Sequence, residues 1–273
     1  MFGLFRMLRR RRLMQAPMAP TRRQFMQRAP LVRRLPAELQ RRLAGLVQVF
    51  LHEKNFEGCN GLEVSEEMRV VIAANACVLL LGRRSDFFPH MGAVLLYPAS
   101  WRVRQVMTDE MGLEEKVDEE NLGEAWERGN VILSWQDILL DCDHPDDGFN
   151  LVLHEFSHQL DMEDGTANGT PLLPPALARD WKRVMSREFE ALRWVAQALD
   201  EEGDGPDEWA WEPRPACAAH EGVLDPYGAE DPAEFFAVAT EAFFEDSARL
   251  RERHGELYGL LAEFYGLNPA AWP

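Results

Sequence analysis

The chain has 273 residues, of which 46% are hydrophobic, so it is long enough to form one large domain or two small ones around a substantial core. Its formal charge of −17 hides an asymmetry, because residues 1–42 hold 12 arginines and one acid, whereas the remaining 231 residues carry −28. So acidic a body repels nucleic acid, and no apolar run reaches the length of about 18 residues that a membrane span needs.

The first 37 residues form an arginine-rich segment that begins MFGLFRMLRRRRL. Its apolar part is short and interrupted by charges, unlike the continuous apolar region of a signal peptide. The prolines within it argue against one long helix. The sequence therefore predicts a basic, flexible tail over residues 1–37 that could contact an anionic surface or a partner, followed by a single domain over residues 38–273. The prolines are Pro17, Pro20, Pro30 and Pro36.

Two helices are predicted at the start of this domain. Apolar residues from Leu39 to Phe50 recur at helical spacing after Pro36, which suits the first turn, so an amphipathic helix begins the domain. The segment Glu66–Leu81 is apolar on most sides, which predicts a central helix that ends at Gly82.

Three segments have the composition of β-strands. The last of them has the strongest β propensity, because it is rich in β-branched and aromatic residues. A loop over Asp141–Gly148 then leads into the next helix, for which Asp147 and Asn150 are the candidate N-caps. The pattern predicts one α+β domain, with a small mixed sheet in its N-terminal half and mainly helices afterwards. The predicted strands are Ala93–Pro98, Trp101–Val106 and Val131–Trp135.

The next helix contains the sequence His-Glu-Phe-Ser-His at residues 154–158. His154 and His158 are four residues apart, about 40° from each other around a helix axis, so both imidazoles can bind one metal ion. Glu155 can lie beside that ion and accept a proton from the attacking water. Large apolar neighbours predict a buried helix. Two histidines that hydrogen-bond in an ordinary core helix are the alternative interpretation.

A catalytic zinc ion needs three protein ligands and an open position, so one ligand remains to be found. Asp164 stands where the extended pattern H-E-x-x-H-x-x-G-x-x-H has its last histidine, although Asp161 replaces the glycine of the turn. His220 is a lone histidine in a loop. Glu234 lies in a helix that is otherwise almost wholly apolar. From the residues alone all three candidates stay open, with Glu234 favoured.

Glu234 and Glu241 are seven residues apart and therefore share one face of a helix that Asp231 can cap. Either this face is simply solvated, or Glu234 completes the zinc site while Glu241 hydrogen-bonds a ligand imidazole.

Three linked motifs resemble those of the Mlc titration factor A family of bacterial zinc peptidases, and the likeness covers most of residues 40–270. The resemblance implies a zincin-like domain of the gluzincin type, in which one helix carries the H-E-x-x-H motif and a later helix carries a glutamate ligand. The segment Val131–Trp135 also resembles that family. The motifs are HEFSHQLD at 154–161, DPY at 225–227 and DPAEFFA at 231–237.

The resemblance also implies the roles of individual residues. One Zn²⁺ per chain would be bound by His154, His158 and Glu234. Glu155 would act as the general base, and Tyr227 as a second catalytic group that donates its phenol hydrogen to the developing oxyanion. A structural tyrosine in a Pro-Tyr-Gly turn is the alternative for Tyr227.

The resemblance implies a zinc-dependent peptidase, aminopeptidase-like on short peptides. The alternative is a regulatory protein that sequesters an Mlc-like transcriptional repressor. An intact set of catalytic residues favours the enzyme, because binding alone requires no general base. A structural zinc site is a weaker interpretation, since such sites usually have four ligands, often cysteines. The widely spaced Cys59, Cys77, Cys142 and Cys217 indicate reduced thiols in a cytoplasmic protein.

Overall fold

The structure is a computed structural model that describes residues 2–83, 86–99, 129–145, 147–202 and 222–273. Within these ranges the chain is mostly helical and contains a three-stranded sheet, which confirms the predicted α+β class. The predicted strand Trp101–Val106 lies outside the described residues. Among the helices that are described, none is both long and apolar enough to cross a membrane.

Three helices occupy the segment that the sequence predicted to be a flexible tail. They are α1 (Phe2–Gln15), α2 (Pro20–Met26) and α3 (Pro30–Arg34). Pro20 and Pro30 begin their helices, where the missing N–H forms no helical bond in any case. Apolar side chains of this segment are buried in the same core as the rest of the chain, which outweighs the effect of its arginines on solvation. These buried residues include Met18, Met26, Leu31, Val32 and Leu35.

The sheet is formed by β1 (Asn55–Gly58), β2 (Ala93–Tyr97) and β3 (Val131–Ser134) in the order β1-β2-β3. Phe56 pairs with Val94, and Val94 pairs with Val131, so each strand runs parallel to its neighbour. A mixed sheet was predicted, whereas all three described strands are parallel. The sequence showed no clear sign of β1, because the segment is short and Phe56 is the one residue in it that favours strands.

The strand predicted over Val131–Trp135 is one residue shorter, and a helix replaces part of the loop predicted over 141–148. Helix α6 spans Trp135–Asp143. The hydroxyl of Ser134 accepts a hydrogen bond from the backbone N–H of Asp137, which caps that helix directly at the end of β3.

The two helices predicted at the start of the domain are present as α4 (Ala37–Glu53) and α5 (Glu66–Val78). Helix α5 ends before Gly82, which was predicted to be its C-cap. Gly82 instead allows two parts of the chain to cross, because a Cβ there would lie 2.0 Å from the carbonyl oxygen of Tyr265.

The described residues of the C-terminal half form helices joined by loops and contain no strand. Helix α7 carries the histidine motif and packs against α9, which carries Glu234. These two helices therefore define the candidate site. The α-helices are α7 (Leu151–Asp161), α8 (Ala178–Glu202), α9 (Pro232–Glu245), α10 (Ser247–Arg253) and α11 (Gly255–Tyr265), with 3₁₀ turns at Met162–Asp164, Pro226–Ala229 and Pro269–Ala271.

Candidate metal centre

Helix α7 begins at a cap that the sequence had indicated. The side chain of Asn150 accepts a hydrogen bond from the backbone N–H of Leu153 at 3.1 Å, whereas the other candidate, Asp147, bonds to Phe149. The apolar residues of α7 are buried, so the helix lies in the core as predicted. One face of α7 therefore packs in the core, and another face presents His154 and His158 towards Glu234 on α9.

Helix α9 begins at Asp231, whose carboxylate accepts hydrogen bonds from the backbone N–H groups of Ala233 (2.7 Å) and Glu234 (3.0 Å). Pro232 lies in the first turn. Because this cap fixes where the helix starts, it also fixes Glu234 in the first turn, at the edge of the core and facing the histidines.

Three potential ligand atoms converge between the two helices. His154 Nε2 lies 3.0 Å from Glu234 Oε2 and 3.3 Å from His158 Nε2, and His158 Nε2 lies 3.4 Å from Glu234 Oε1. Two atoms bonded at about 2.0–2.1 Å to one tetrahedral zinc ion are about 3.3–3.4 Å apart. The spacing of these nitrogen and carboxylate donors therefore fits a zinc ion.

The other two candidates for the third ligand are not brought to this point. The carboxylate of Asp164 is exposed and accepts hydrogen bonds from the backbone N–H and the hydroxyl of Thr166, at 3.0 and 2.8 Å. His220 lies outside the described residues. Within the described ranges, His154, His158 and Glu234 are the one group of three His, Cys, Asp or Glu residues with metal-binding geometry.

Glu241 contacts the Nδ1 atom of His154, on the side of the ring away from Glu234. Its Oε2 lies 3.0 Å from His154 Nδ1, and its Oε1 accepts a hydrogen bond from the backbone N–H of Asn150 at 2.9 Å. A carboxylate that accepts the Nδ1 hydrogen leaves the Nε2 lone pair directed at a metal and fixes the orientation of the ring. The geometry thus favours the second interpretation of Glu241 over a solvated face, because Glu241 is buried.

A buried polar network extends this support to a third helix. The amide of Asn150 donates hydrogen bonds to Glu245 Oε1 (2.7 Å) and to Asn75 Oδ1 (3.4 Å), which links α7 to α9 and α5. Neither Glu245 nor Asn75 was predicted from the sequence to belong to the site. Two signals could have identified them: Glu245 follows Glu241 by one helical turn, and Asn75 is a polar residue in a run of apolar ones.

The charges at the site shift the pKa values of its groups in different directions. Burial raises the pKa of Glu155, although His154 and His158 partly offset this effect. Burial also opposes ionisation of Glu234, but hydrogen bonds from the two histidines outweigh it and lower the pKa of Glu234 to about 2. Glu234 therefore stays an anion suited to binding a cation, while Glu155 has an increased affinity for a proton.

Tyr227 lies beside the first histidine. Asp225 accepts a hydrogen bond from the backbone N–H of Tyr227 at 2.7 Å and so caps the 3₁₀ turn that holds the tyrosine. The ring centroids of Tyr227 and His154 are 6.0 Å apart. The structure thus brings four of the predicted site residues together with Glu155, which adjoins His154 in the same helix.

The loop that follows α7 packs against the other ligand-bearing helix, α9. Asp161, at the end of α7, accepts a hydrogen bond from the backbone N–H of Gly169 at 2.7 Å, and the indole of Trp181 donates to the carbonyl of Gly169 at 2.9 Å. Gly169 has a φ of +74°, and a Cβ there would lie 2.2 Å from the carbonyl oxygen of Pro232. Asp161 therefore anchors a loop that packs on the first turn of α9.

Comparisons with known proteins agree with this arrangement. Residues 5–266 match the family described as glucose-regulated metallo-peptidase M90. An uncharacterized protein of Synechocystis is 36% identical over 264 residues, which cover 96% of this chain and 89% of that protein. The Mlc titration factor A proteins of Escherichia fergusonii and Salmonella agona are 32% and 30% identical, each over 88% of this chain and over 83% and 84% of their own length. Because the family match begins at residue 5, it includes most of α1 and all of α2 and α3, which the motif resemblance had left out.

Proposed function

Because the chain belongs to the glucose-regulated metallopeptidase family M90, we propose that it is a zinc-dependent peptidase that hydrolyses short peptides in the manner of an aminopeptidase. The observation that carries this proposal is the convergence of His154, His158 and Glu234 at distances that suit one tetrahedral ion. A glutamate with a raised pKa stands next to the first of these ligands. A site that only stabilised the fold would not need that glutamate.

The residues around the ligands have distinct roles in the proposed mechanism. When bound, a zinc ion supplies a Lewis acid that polarises the scissile carbonyl and acidifies water. The carboxylate of Glu155 accepts the proton of the attacking water and then donates it to the nitrogen of the departing amine. The hydroxyl of Tyr227 donates a hydrogen bond to the oxyanion, a contribution of about 3–4 kcal/mol when such a donor is well placed. Glu241 keeps the ring of His154 in the orientation that binding requires.

Strand β3 offers a place for the substrate backbone. It lies at one end of the sheet formed by the described strands, and it contacts helix α7. The unpaired backbone groups of an edge strand can bind an extended peptide. We therefore propose that the peptide pairs with β3 and passes between this strand and the ligands on α7 and α9.

A cleavage assay with a peptide library tests this function. The zinc-loaded protein is expected to cleave peptides, and Glu155→Gln is expected to reduce the rate by about 10²–10⁴-fold, because it removes the general base. Elemental analysis serves as the control: the variant should keep its zinc, since all three ligands are intact. Cleavage by Glu155→Gln at the rate of the unmodified protein would contradict the assignment of the base. The library also identifies the residue preference at the cleavage site.

A second function is favoured by the relatives that are named Mlc titration factor A. In this alternative, the chain sequesters an Mlc-like transcriptional repressor, and its peptidase activity is secondary. A pull-down with Glu155→Gln separates the two roles, because a sequestering protein would retain its partner without cleaving peptides. We place either function in the cytoplasm, since Cys59, Cys77 and Cys142 are free thiols.

A further inference from the structure

Helix α1 is fastened to the body along one side. Arg10 forms a salt bridge with Glu53 at 2.6 Å and another with Asp86, and its guanidinium lies 4.7 Å from the centre of the Phe87 ring. The amide of Gln48 donates hydrogen bonds to the carbonyl oxygens of Leu13 and Ala16, at 3.0 and 2.9 Å. These contacts fix which side of α1 faces away from the protein.

The outward side of α1 is apolar over its first two turns. Leu4, Phe5, Met7 and Leu8 expose 58%, 66%, 59% and 50% of their surface. Single exposed apolar residues are common on proteins, but four within five positions form a patch that marks an interaction surface. In helical geometry, Leu4 and Leu8 lie on the side opposite Arg10, so they cannot pack against α4 while Arg10 is bound to Glu53.

The same outward side is positively charged over its last turns. Arg9, Arg11 and Arg12 are exposed, and none of them forms a salt bridge with any residue that the structure describes. Arg11 continues the stripe of Leu4 and Leu8, and Arg12 continues the stripe of Phe5. No acidic residue occurs before Glu38, so no carboxylate of α1 itself offsets these charges.

We propose that α1 is an anchor that docks this protein on an anionic lipid bilayer. Leu4, Phe5 and Leu8 enter the boundary between headgroups and acyl chains, while Arg11 and Arg12 extend along the surface and bind lipid phosphates. An apolar patch that continues into a basic one matches the layered chemistry of a bilayer surface. Nucleic acid would use the arginines but leave the apolar residues in water.

The charge distribution of the chain sets the orientation of docking. The 231 residues after position 42 carry −28, so an anionic surface repels most of the body and attracts only the arginine-rich segment. The inner contacts of Arg10 hold α1 in place, so its outward residues are presented together without further ordering of the helix. One such helix gives reversible binding, because a single weak anchor is rarely sufficient for permanent attachment.

Vesicle flotation with the full-length protein tests the proposal. Vesicles of about 30% phosphatidylglycerol in phosphatidylcholine provide the anionic surface, and pure phosphatidylcholine provides the neutral one. The protein should float with the anionic vesicles and be released by high salt. Replacing Arg9, Arg11 and Arg12 by Gln should lower the partition coefficient roughly 100-fold, or about fivefold for each charge. A second variant, with Leu4, Phe5 and Leu8 replaced by Ser, should lose binding although its charge is unchanged.

A matched control changes the same number of charges elsewhere on the surface. Arg179→Gln, Lys182→Gln and Arg251→Gln, combined in one chain, should leave the partition coefficient within about twofold, because these residues lie outside α1 and lipid attraction falls off within a Debye length. Circular dichroism checks that every variant is folded. Equal binding by the Arg9/Arg11/Arg12 variant and the control would overturn the proposal. So would a lack of binding to anionic vesicles, or self-association in solution that the Leu4/Phe5/Leu8 variant abolishes.

Discussion

Helix α1 and the metal centre between α7 and α9 differ in whether their charged groups have partners. At the metal centre, Glu241 is buried and bonded to both His154 and Asn150, and Glu234 contacts both histidines. On α1, Arg10 has carboxylate partners, whereas Arg11, about one turn after Leu8, has none among the described residues.

This difference shows which charged residues in a sequence predict a specific contact and which do not. A buried charge without a partner is so costly that a carboxylate in an apolar helix indicates a specific contact. An exposed charge carries no such requirement, so the arginines of the N-terminal segment did not indicate whether it folds. The structure decides this point, because the apolar residues between the arginines are buried in the common core.

The first and largest expected effect concerns the third ligand. Glu234→Ala should abolish stoichiometric zinc binding, because a site with two imidazoles lacks the third protein ligand of a catalytic zinc ion. Elemental analysis of the purified protein measures the metal content directly. Asp164→Ala is the matched control and should keep its zinc, since Asp164 bonds to Thr166 instead. Full zinc content in Glu234→Ala would mean that Glu234 is not the third ligand, and that the metal centre does not differ from the surface of α1 in the way described above.

The second prediction concerns the residue behind the ligand. Glu241→Gln should lower zinc affinity about 10–100-fold, because the neutral amide has one acceptor oxygen in place of the two that bind His154 and Asn150. Competition with a fluorescent chelator measures the affinity. Glu263→Gln, an exposed substitution on α11, should leave it unchanged. Equal affinities in the two variants would mean that the buried carboxylate does not position His154.

A third prediction concerns the loop that follows α7 and packs on the first turn of α9. Gly169→Ala should reduce the free energy of unfolding by about 2–3 kcal/mol, since it combines a strained positive φ with a clash against Pro232. Gly165→Ala is a close control, because Gly165 also has a positive φ (+96°) but a Cβ there would meet open space. Denaturant unfolding should therefore show a smaller loss for Gly165→Ala. Similar losses would show that the approach to Pro232 has no effect on stability.

The smallest expected effect concerns the inner side of α1. Arg10→Ala should reduce the free energy of unfolding by about 1 kcal/mol, and Arg6→Ala by less, because the salt bridge of Arg6 with Asp86 is more exposed. Burial alone would raise the pKa of Glu53 and Asp86, but hydrogen bonds and charge from Arg10 lower both.

This pair of lowered pKa values also predicts a pH dependence. A carboxylate with a lowered pKa in the folded state stabilises the fold above its unfolded pKa of about 4, and this contribution is lost as the pH falls through the folded-state pKa. The difference between the unmodified protein and Arg10→Ala should therefore shrink below about pH 4. Denaturant unfolding at neutral and acidic pH measures it, and a difference that grows in acid would exclude this salt bridge as its source.

The sequence by itself determined the local features of this protein. Histidines four residues apart share a helix face whatever surrounds them, and caps such as Asn150 and Asp231 act within three residues of their own position. Helices α4, α7 and α9 were therefore predicted close to where they lie. The α+β class followed from the same local patterns.

Only the tertiary structure decided which distant groups meet. His154 and Glu234 are 80 residues apart, so the choice of Glu234 over Asp164 depended on how α7 packs against α9. The parallel order of the strands and the burial of α2 and α3 depended likewise on contacts between remote segments. Local patterns reflect hydrogen bonds and side-chain spacing within a few residues, whereas these contacts arise when separate apolar faces are buried against one another.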